Sequence, residues 1–247
     1  MLARGNHVRE IRDISGENVV YMKSAVILLS GGLDSSTLLH YVKRKLNSRP
    51  LYALTIRYGQ KHVRESTCAV AQARAAGVKE HRQIDIAFFG ELVAGASALI
   101  DPAMPVPALA ELAPGQLDQP PTYVPNRNML FLTLAAAFAE ARGVADVFYG
   151  AQAQDHYSYW DCTPKFLDRM NAVLGLNCRQ PVILHAPFMM MRKSEVLKIG
   201  LDLGVNYAET WSCYRGQETA CGVCPACVER RAAFDVLKLA DPAAAVT

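Results

Sequence analysis

No stretch of this chain is apolar for long enough to cross a membrane: the longest useful run, residues 129–139, stops at Glu140, far short of the roughly 20 residues a span requires. The beginning of the chain scatters Arg4, Arg9, Glu10, Arg12, Asp13 and Glu17, which leaves no apolar core for a secretion signal. There is no internal repeat, no low-complexity tract and no dense run of lysine or arginine. A net charge of +3 over 247 residues is too mild for a nucleic-acid tail, and local anionic substrates account for it equally well. The Walker spacing, G-x-x-x-x-G-K followed by Ser or Thr, is missing, and its lysine with it. These absences leave a soluble, cytoplasmic protein as the expectation, with no membrane partner and no nucleic acid.

With 51% hydrophobic residues the chain can bury a substantial core. Strand-like runs at residues 25–29, 51–58, 83–86, 146–149 and 182–186 alternate with helical spacing at 36–45, 63–76, 128–142, 164–176 and 193–203. Alternation of this kind predicts an α/β fold, a doubly wound and mainly parallel sheet, with ligands outside the carboxyl ends of the strands. Residues 22–205 form that domain, and 206–247 form a cysteine-bearing segment with a closing helix over 228–239. Residues 1–21 offer the first strand nothing and read as a flexible extension, with Met22 a second candidate start. Seven prolines between Pro102 and Pro125 make 95–125 a long loop, read as a lid or a substrate-facing loop.

The segment "LLSGGLDSS" ends a strand at Leu29, turns at Gly31 and Gly32, and opens a helix with Ser35, Ser36 and Thr37. Backbone N–H groups then converge on one spot at a helix N-terminus, an anion nest suited to a phosphate chain. It resembles the pyrophosphate-binding loop, S-G-G-x-D-S, of the ATP pyrophosphatases, which cleave ATP between the α- and β-phosphates and transfer AMP to an oxygen. The nucleotide-binding stretch runs Leu29, Ser30, Gly31, Gly32, Leu33, Asp34, Ser35, Ser36, Thr37, Leu38 and Leu39, with Asp34 and Ser35 also catalytic. Asp34 is placed to hold Mg²⁺ on the phosphates or to cap the helix. In "MMRKSEVLKIG", Arg192 and Lys193 lie at a helix start, where the dipole disfavours cations unless an anion is near; Lys193 is the candidate for neutralising pyrophosphate.

Seven cysteines include Cys213, Cys221, Cys224 and Cys227, spaced C-x₇-C-x₂-C-x₂-C. Four thiolates so close suit one tetrahedral, structural Zn²⁺ per chain. Iron–sulfur ligation is the competing use of such a triplet, although the ferredoxin pattern puts its fourth cysteine downstream, before a proline. Disulfides fit a reducing compartment poorly.

Read together with "RYGQKHVRE", "TYVPNRNMLFL" and "GVNYAETWSCY", these motifs are similar to the 7-cyano-7-deazaguanine synthase family of the queuosine pathway, from about Met22 to Leu239. The resemblance implies an ATP-dependent ligase that converts 7-carboxy-7-deazaguanine and ammonia to the nitrile, with one Zn²⁺ per chain, usually as a homodimer. Adenylating a carboxylate removes its charge and supplies a leaving group; repeating this on the amide gives the nitrile. Tyr58, Gln60, His62 and Glu65 after the second strand, and Arg127 and Asn128 at a helix start, are the substrate-binding candidates, with Asp155 and Asp161. His62 is the candidate for deprotonating ammonium. Where the family typically reads D-Y-S-G-Y-P-D-C-R, this chain has "DHYSYWDCT", with Tyr157, Ser158, Trp160 and Thr163 in place of serine, glycine, proline and arginine. The change removes an arginine clamp, adds an indole surface, and leaves open a different deazapurine or carboxyl substrate. Two other readings compete: a tRNA-modifying adenylating enzyme such as a thiolase, and a zinc-ribbon interaction module on a degenerate nucleotide fold.

Overall fold

The structure is a computed structural model and describes residues 24–61, 64–116, 119–153 and 159–243. Strands β1 (Ala25–Leu28), β2 (Leu51–Arg57), β3 (Glu80–Asp85), β4 (Asp146–Phe148) and β5 (Ile183–His185) form one parallel sheet in the order β3-β2-β1-β4-β5. Ala25 pairs with Leu51 on one side and Asp146 on the other, so strand ends are level at the centre. The central strands are covered on both faces, which is why they read as continuous apolar runs rather than alternating ones.

Successive side chains still point to opposite layers. Val26, Leu54 and Val147 pack with Leu132, Ala135 and Ala139 of α4 (Arg127–Glu140) and with Phe166 and Met170 of α5 (Pro164–Leu174). Ile27, Ala53 and Phe148 pack with Leu38 and Leu39 of α1 (Leu33–Arg44), Val196 and Leu197 of α6 (Lys193–Asp202) and Phe234 of α7 (Pro225–Val236). The cysteine-bearing segment shares this core: Trp211, Cys213, Cys224 and Cys227 lie in the same apolar cluster as Val26 and Leu132.

The expected strands and helices are all present, with shifted ends. β3 lies further upstream than expected because it is a sheet edge, polar and nowhere fully buried, and carries little apolar signal. Helix α1 begins at Leu33 rather than residue 36, which puts Asp34 and Ser35 inside its first turn. Helix α2 (Arg64–Ala76) matches, whereas the short α3 (Ala87–Leu92) has no counterpart in the sequence reading. None of the described residues of the proline-rich segment lines the cleft at the strand ends. Its Leu99 accepts from Lys61 N–H, Ala98 N–H donates to Pro121, and Leu109 N–H donates to Val223 of the cysteine segment, so it braces two parts of the molecule.

Two groups make the fold acid-sensitive. His40 of α1 is 3% exposed with Nε2 at 3.1 Å from Gln72 Oε1. Burial, then the nearby Arg44 and Lys43, hold its pKa below the ordinary 6.5. The unfolded chain therefore takes up a proton that the folded one resists, and stability begins to fall as pH drops below 6.5. Glu80 of β3, bound by Arg142 and Arg82, has its pKa lowered from 4.5 to about 2; its contribution is present above 4.5 and lost as pH falls towards 2. Urea melts should show a falling midpoint between about pH 7 and pH 5, and His40→Gln should flatten that decline. An unchanged slope in the variant would assign the decline to other groups.

Candidate active site

The chain reverses direction across the sheet between β1 and β4, and a cleft of about 270 Å³ opens there, at the carboxyl ends of β1, β2 and β4. This is the switch point at which open α/β sheets bind ligands. A second hollow, about 400 Å³, lies beside the cysteines and Arg231, away from the strand ends.

One wall of the cleft is the loop from β1 into α1. Gly31 sits at φ +95, and a Cβ there would lie 2.2 Å from the Glu65 carbonyl oxygen and 2.5 Å from Ala69 N, both backbone atoms of α2. Only glycine permits this approach. The Ser35 hydroxyl accepts from the N–H groups of Ser30 and Gly31, each at 3.2 Å, and Ser30 Oγ accepts from Gly32 N–H at 3.2 Å. The amides of Ser30, Gly31 and Gly32 are thus engaged by the loop's own hydroxyls, and Ser36 N–H by the Gly32 carbonyl. Gly32 has no side chain to cap α1, so the first-turn N–H groups of Leu33, Asp34 and Ser35 look out of the helix end, where the dipole favours an anion. Gly150, just after β4, keeps that end open: a Cβ there would stand 3.2 Å from Ser35 N.

Lys193, the first residue of α6, reaches the same end. Its Nζ lies 2.8 Å from Glu229 Oε2 and 3.7 Å from Asp34 Oδ2. Burial raises the pKa of Asp34, and the Lys193 ammonium opposes that rise. Glu229 comes from α7, so the cysteine segment delivers a carboxylate to the α1 end of the cleft. The same segment holds the loop itself, through the Trp211 N–H bond to the Gly31 carbonyl at 3.0 Å.

The opposite wall is aromatic and cationic. Arg127 donates to Tyr58 Oη at 3.2 Å, and Tyr58 packs edge-on against Phe131. Burial works against the Arg127 charge, but the oxygens of Tyr58, Tyr214 and Tyr159 face it, and the pKa is raised. Among the described residues no carboxylate forms an ion pair with Arg127. Gln60 Oε1 accepts from Tyr58 N–H at 2.8 Å and lines the cleft with Glu65 and Asn128. Asp161 is buried below them, accepting from Asn128 N–H at 3.3 Å, and acts as an anionic cap on α4 rather than as a cleft wall. Trp160 turns away from the cleft: its indole N–H donates to Tyr123 Oη at 2.8 Å and its ring meets Phe166 edge-on. It braces the α4 entry and supplies no stacking surface to a ligand in the cleft.

Ser30, Gly32, Leu33, Asp34, Ser35, Tyr58, Gln60, Glu65, Arg127, Asn128 and Lys193 are thus brought together. The stretch assigned to the nucleotide extends too far along α1. Ser36 is fully buried, Thr37 Oγ1 is engaged by the Leu33 carbonyl and Tyr207 Oη, and Leu38 and Leu39 are core residues of the opposite layer. His62 and Asp155 lie outside the described residues, as do residues 1–21, Tyr157 and Ser158. Gly150 and Glu229 were not anticipated. A glycine directly after a strand signals the first, while nothing local distinguishes Glu229 from an exposed helical acid.

The sulfurs of Cys213, Cys221, Cys224 and Cys227 all lie within 4.8 Å of one another, an arrangement that can hold a metal ion. Cys221 N–H points at Cys213 Sγ (3.3 Å) and Cys224 N–H at Cys221 Sγ (3.4 Å), so backbone dipoles already favour thiolates. Hydrogen bonds from Cys224 and Cys227 hold Cys213 well below the usual thiol range.

Residues 24–238 match the family described as queuosine biosynthesis protein QueC. The 7-cyano-7-deazaguanine synthase of Marinobacter nauticus is 42% identical over 224 residues, covering 90% of this chain and 96% of the relative. The protein of the same name from Methanospirillum hungatei is 42% identical over 221 residues, covering 88% and 97%. Among solved structures, the U34-tRNA thiolase of Methanococcus maripaludis, carrying an iron–sulfur cluster, aligns at TM-score 0.48 and 14% identity over 89% of this chain and 67% of its own.

Proposed function

This chain belongs to the QueC family of queuosine biosynthesis, and we propose that its cleft makes 7-cyano-7-deazaguanine from 7-carboxy-7-deazaguanine, ammonia and ATP. The observation that carries this reading is the pairing, in one cleft, of an uncapped helix end with Lys193 and, across from it, the half-buried Arg127 cation. The first suits a polyphosphate and the second a carboxylate.

In this reading the amides of Leu33, Asp34 and Ser35 hold the pyrophosphate portion of ATP, Lys193 neutralises it as it leaves, and Asp34 holds Mg²⁺ on the phosphates. Arg127 anchors the carboxylate, with Tyr58, Gln60, Glu65 and Asn128 about the deazapurine. The carboxylate oxygen attacks the α-phosphorus, pyrophosphate departs, and ammonia displaces AMP to give the amide. The amide oxygen attacks a second ATP in the same way, and loss of AMP and protons leaves the nitrile. Substrate binding by His62 and Asp155, and proton removal from ammonium by His62, complete the proposal.

The four-cysteine site holds a structural Zn²⁺. The 3.9 Å between Cys221 Sγ and Cys227 Sγ is close to the ~3.8 Å edge of a tetrahedron with Zn–S bonds of about 2.3 Å. A cubane cluster needs its cysteine sulfurs further apart, because bridging atoms stand between them. The enzyme works in the cytoplasm as a homodimer; no helix among the described residues is long and apolar enough to cross a membrane.

Mass spectrometry of the protein incubated with ATP, ammonium and the carboxylate should show the amide and then the nitrile. ATP consumption without either product would remove this substrate from the proposal. Arg127→Met should raise KM for the carboxylate by about 100-fold, the loss of a charge-assisted anchor, and Arg127→Lys should recover only part of it. A KM unchanged in Arg127→Met would place the carboxylate elsewhere.

A further inference from the structure

The phosphate end of the cleft holds more negative charge than a site for polyanions needs. Lys193 is buried, and its ammonium is flanked by two carboxylates, Glu229 at 2.8 Å and Asp34 at 3.7 Å. Asp34 has a use there as the residue facing Mg²⁺. Glu229 has none in the chemistry, yet it is the nearer partner, and it reaches Lys193 from a different helix.

We propose that Glu229 is a positioning residue that competes with pyrophosphate for Lys193, weakening the enzyme's hold on that product so that it leaves. The inference rests on the reading of the cleft as the place where ATP is cleaved. An unopposed buried lysine beside three first-turn amides would bind pyrophosphate tightly, and each nitrile requires pyrophosphate to leave twice. When the polyanion occupies the helix end, Lys193 turns to it; when the α–β phosphoanhydride bond has broken, the Glu229 carboxylate takes the ammonium back. No covalent step passes through Glu229. Its side chain is 39% exposed, so solvent screens it and the competition is partial rather than absolute.

The test is pyrophosphate affinity, measured by titration calorimetry on the full chain with its metal, alongside KM and kcat for ATP. Glu229→Gln should bind pyrophosphate about tenfold more tightly, the scale of a half-screened unit charge a few ångströms away. KM for ATP should fall with it, and kcat should fall as product release slows. Glu229→Asp, which draws the charge back by one methylene, should move all three in the same direction but less. In a Lys193→Met background, adding Glu229→Gln should change little, because the effect runs through the lysine. Equal or weaker pyrophosphate binding by Glu229→Gln, or an undiminished effect without Lys193, would overturn the proposal. Nitrile formation together with unchanged pyrophosphate affinity in Glu229→Gln would sink this inference alone; tightened pyrophosphate binding in a protein that makes no nitrile would sink the substrate reading and leave this one standing.

Discussion

Gly31→Ala should abolish ATP turnover while leaving the sheet intact. The added methyl would need to sit 2.2 Å from the Glu65 carbonyl oxygen and 2.5 Å from Ala69 N, and neither atom can move without bending α2. The φ of +95 adds strain for any residue with a Cβ. Relief must come from the loop, which would lift off α2, break the Trp211 bond to the Gly31 carbonyl and turn the first-turn amides of α1 away from the phosphates. Misplacement by about an ångström costs on the order of 100-fold in rate, and here the amides, the Lys193 reach and the Ser30–Ser35 hydroxyl pair shift together, so a loss of roughly 1000-fold or more is expected. Release of AMP and pyrophosphate from ATP measures it, with circular dichroism as the control for folding. Activity within about tenfold of the parent would show that close packing on α2 does not set the loop.

Removing the metal should have an effect of comparable size by another route. Cys224 is fully buried, and Cys224→Ser would leave a metal ion with three thiolates and a hydroxyl in a dry site. Structural zinc contributes roughly 10–16 kcal/mol in small zinc-binding peptides, as much as or more than the typical 5–15 kcal/mol stability of a whole domain. The loss would not stay local. Trp211, two residues from Cys213, holds the loop between β1 and α1; Glu229, two residues from Cys227, holds Lys193; and Arg230 ties α7 to Thr210, to the Tyr207 carbonyl and to Asp241. Metal analysis should give one zinc per chain in the parent and markedly less in Cys224→Ser, with a lower melting temperature and no turnover. A variant without zinc that melts and turns over like the parent would reduce the cysteines to bystanders.

The sheet was legible because its central strands are buried on both faces and its helices end in clear glycine stops, as at Gly77, Gly143 and Gly204, all with positive φ. The edge strand β3 was misplaced because an exposed edge needs no apolar pattern. Within the cleft, the meeting of the glycine turn after β1 with Lys193 and Arg127 was legible from chemistry at element ends. Which loop amides face outward was not, because that depends on where the Ser30 and Ser35 hydroxyls turn. Trp160 was readable as a ligand-stacking surface only while its partner was unknown; Tyr123, distant in sequence, captures its N–H. Glu229 was invisible for the same reason, its meaning lying in a lysine on another helix.

Where the carboxylate oxygens go is the most direct test. With both oxygens of 7-carboxy-7-deazaguanine labelled with the heavy isotope of oxygen, transfer of AMP to the substrate in two rounds predicts two molecules of AMP per nitrile, each carrying one heavy oxygen on its phosphorus, and unlabelled pyrophosphate. Heavy oxygen in inorganic phosphate alongside ADP, or AMP with no label at all, would mean that the innermost phosphorus never met the substrate's oxygen, and the account of this cleft would be wrong.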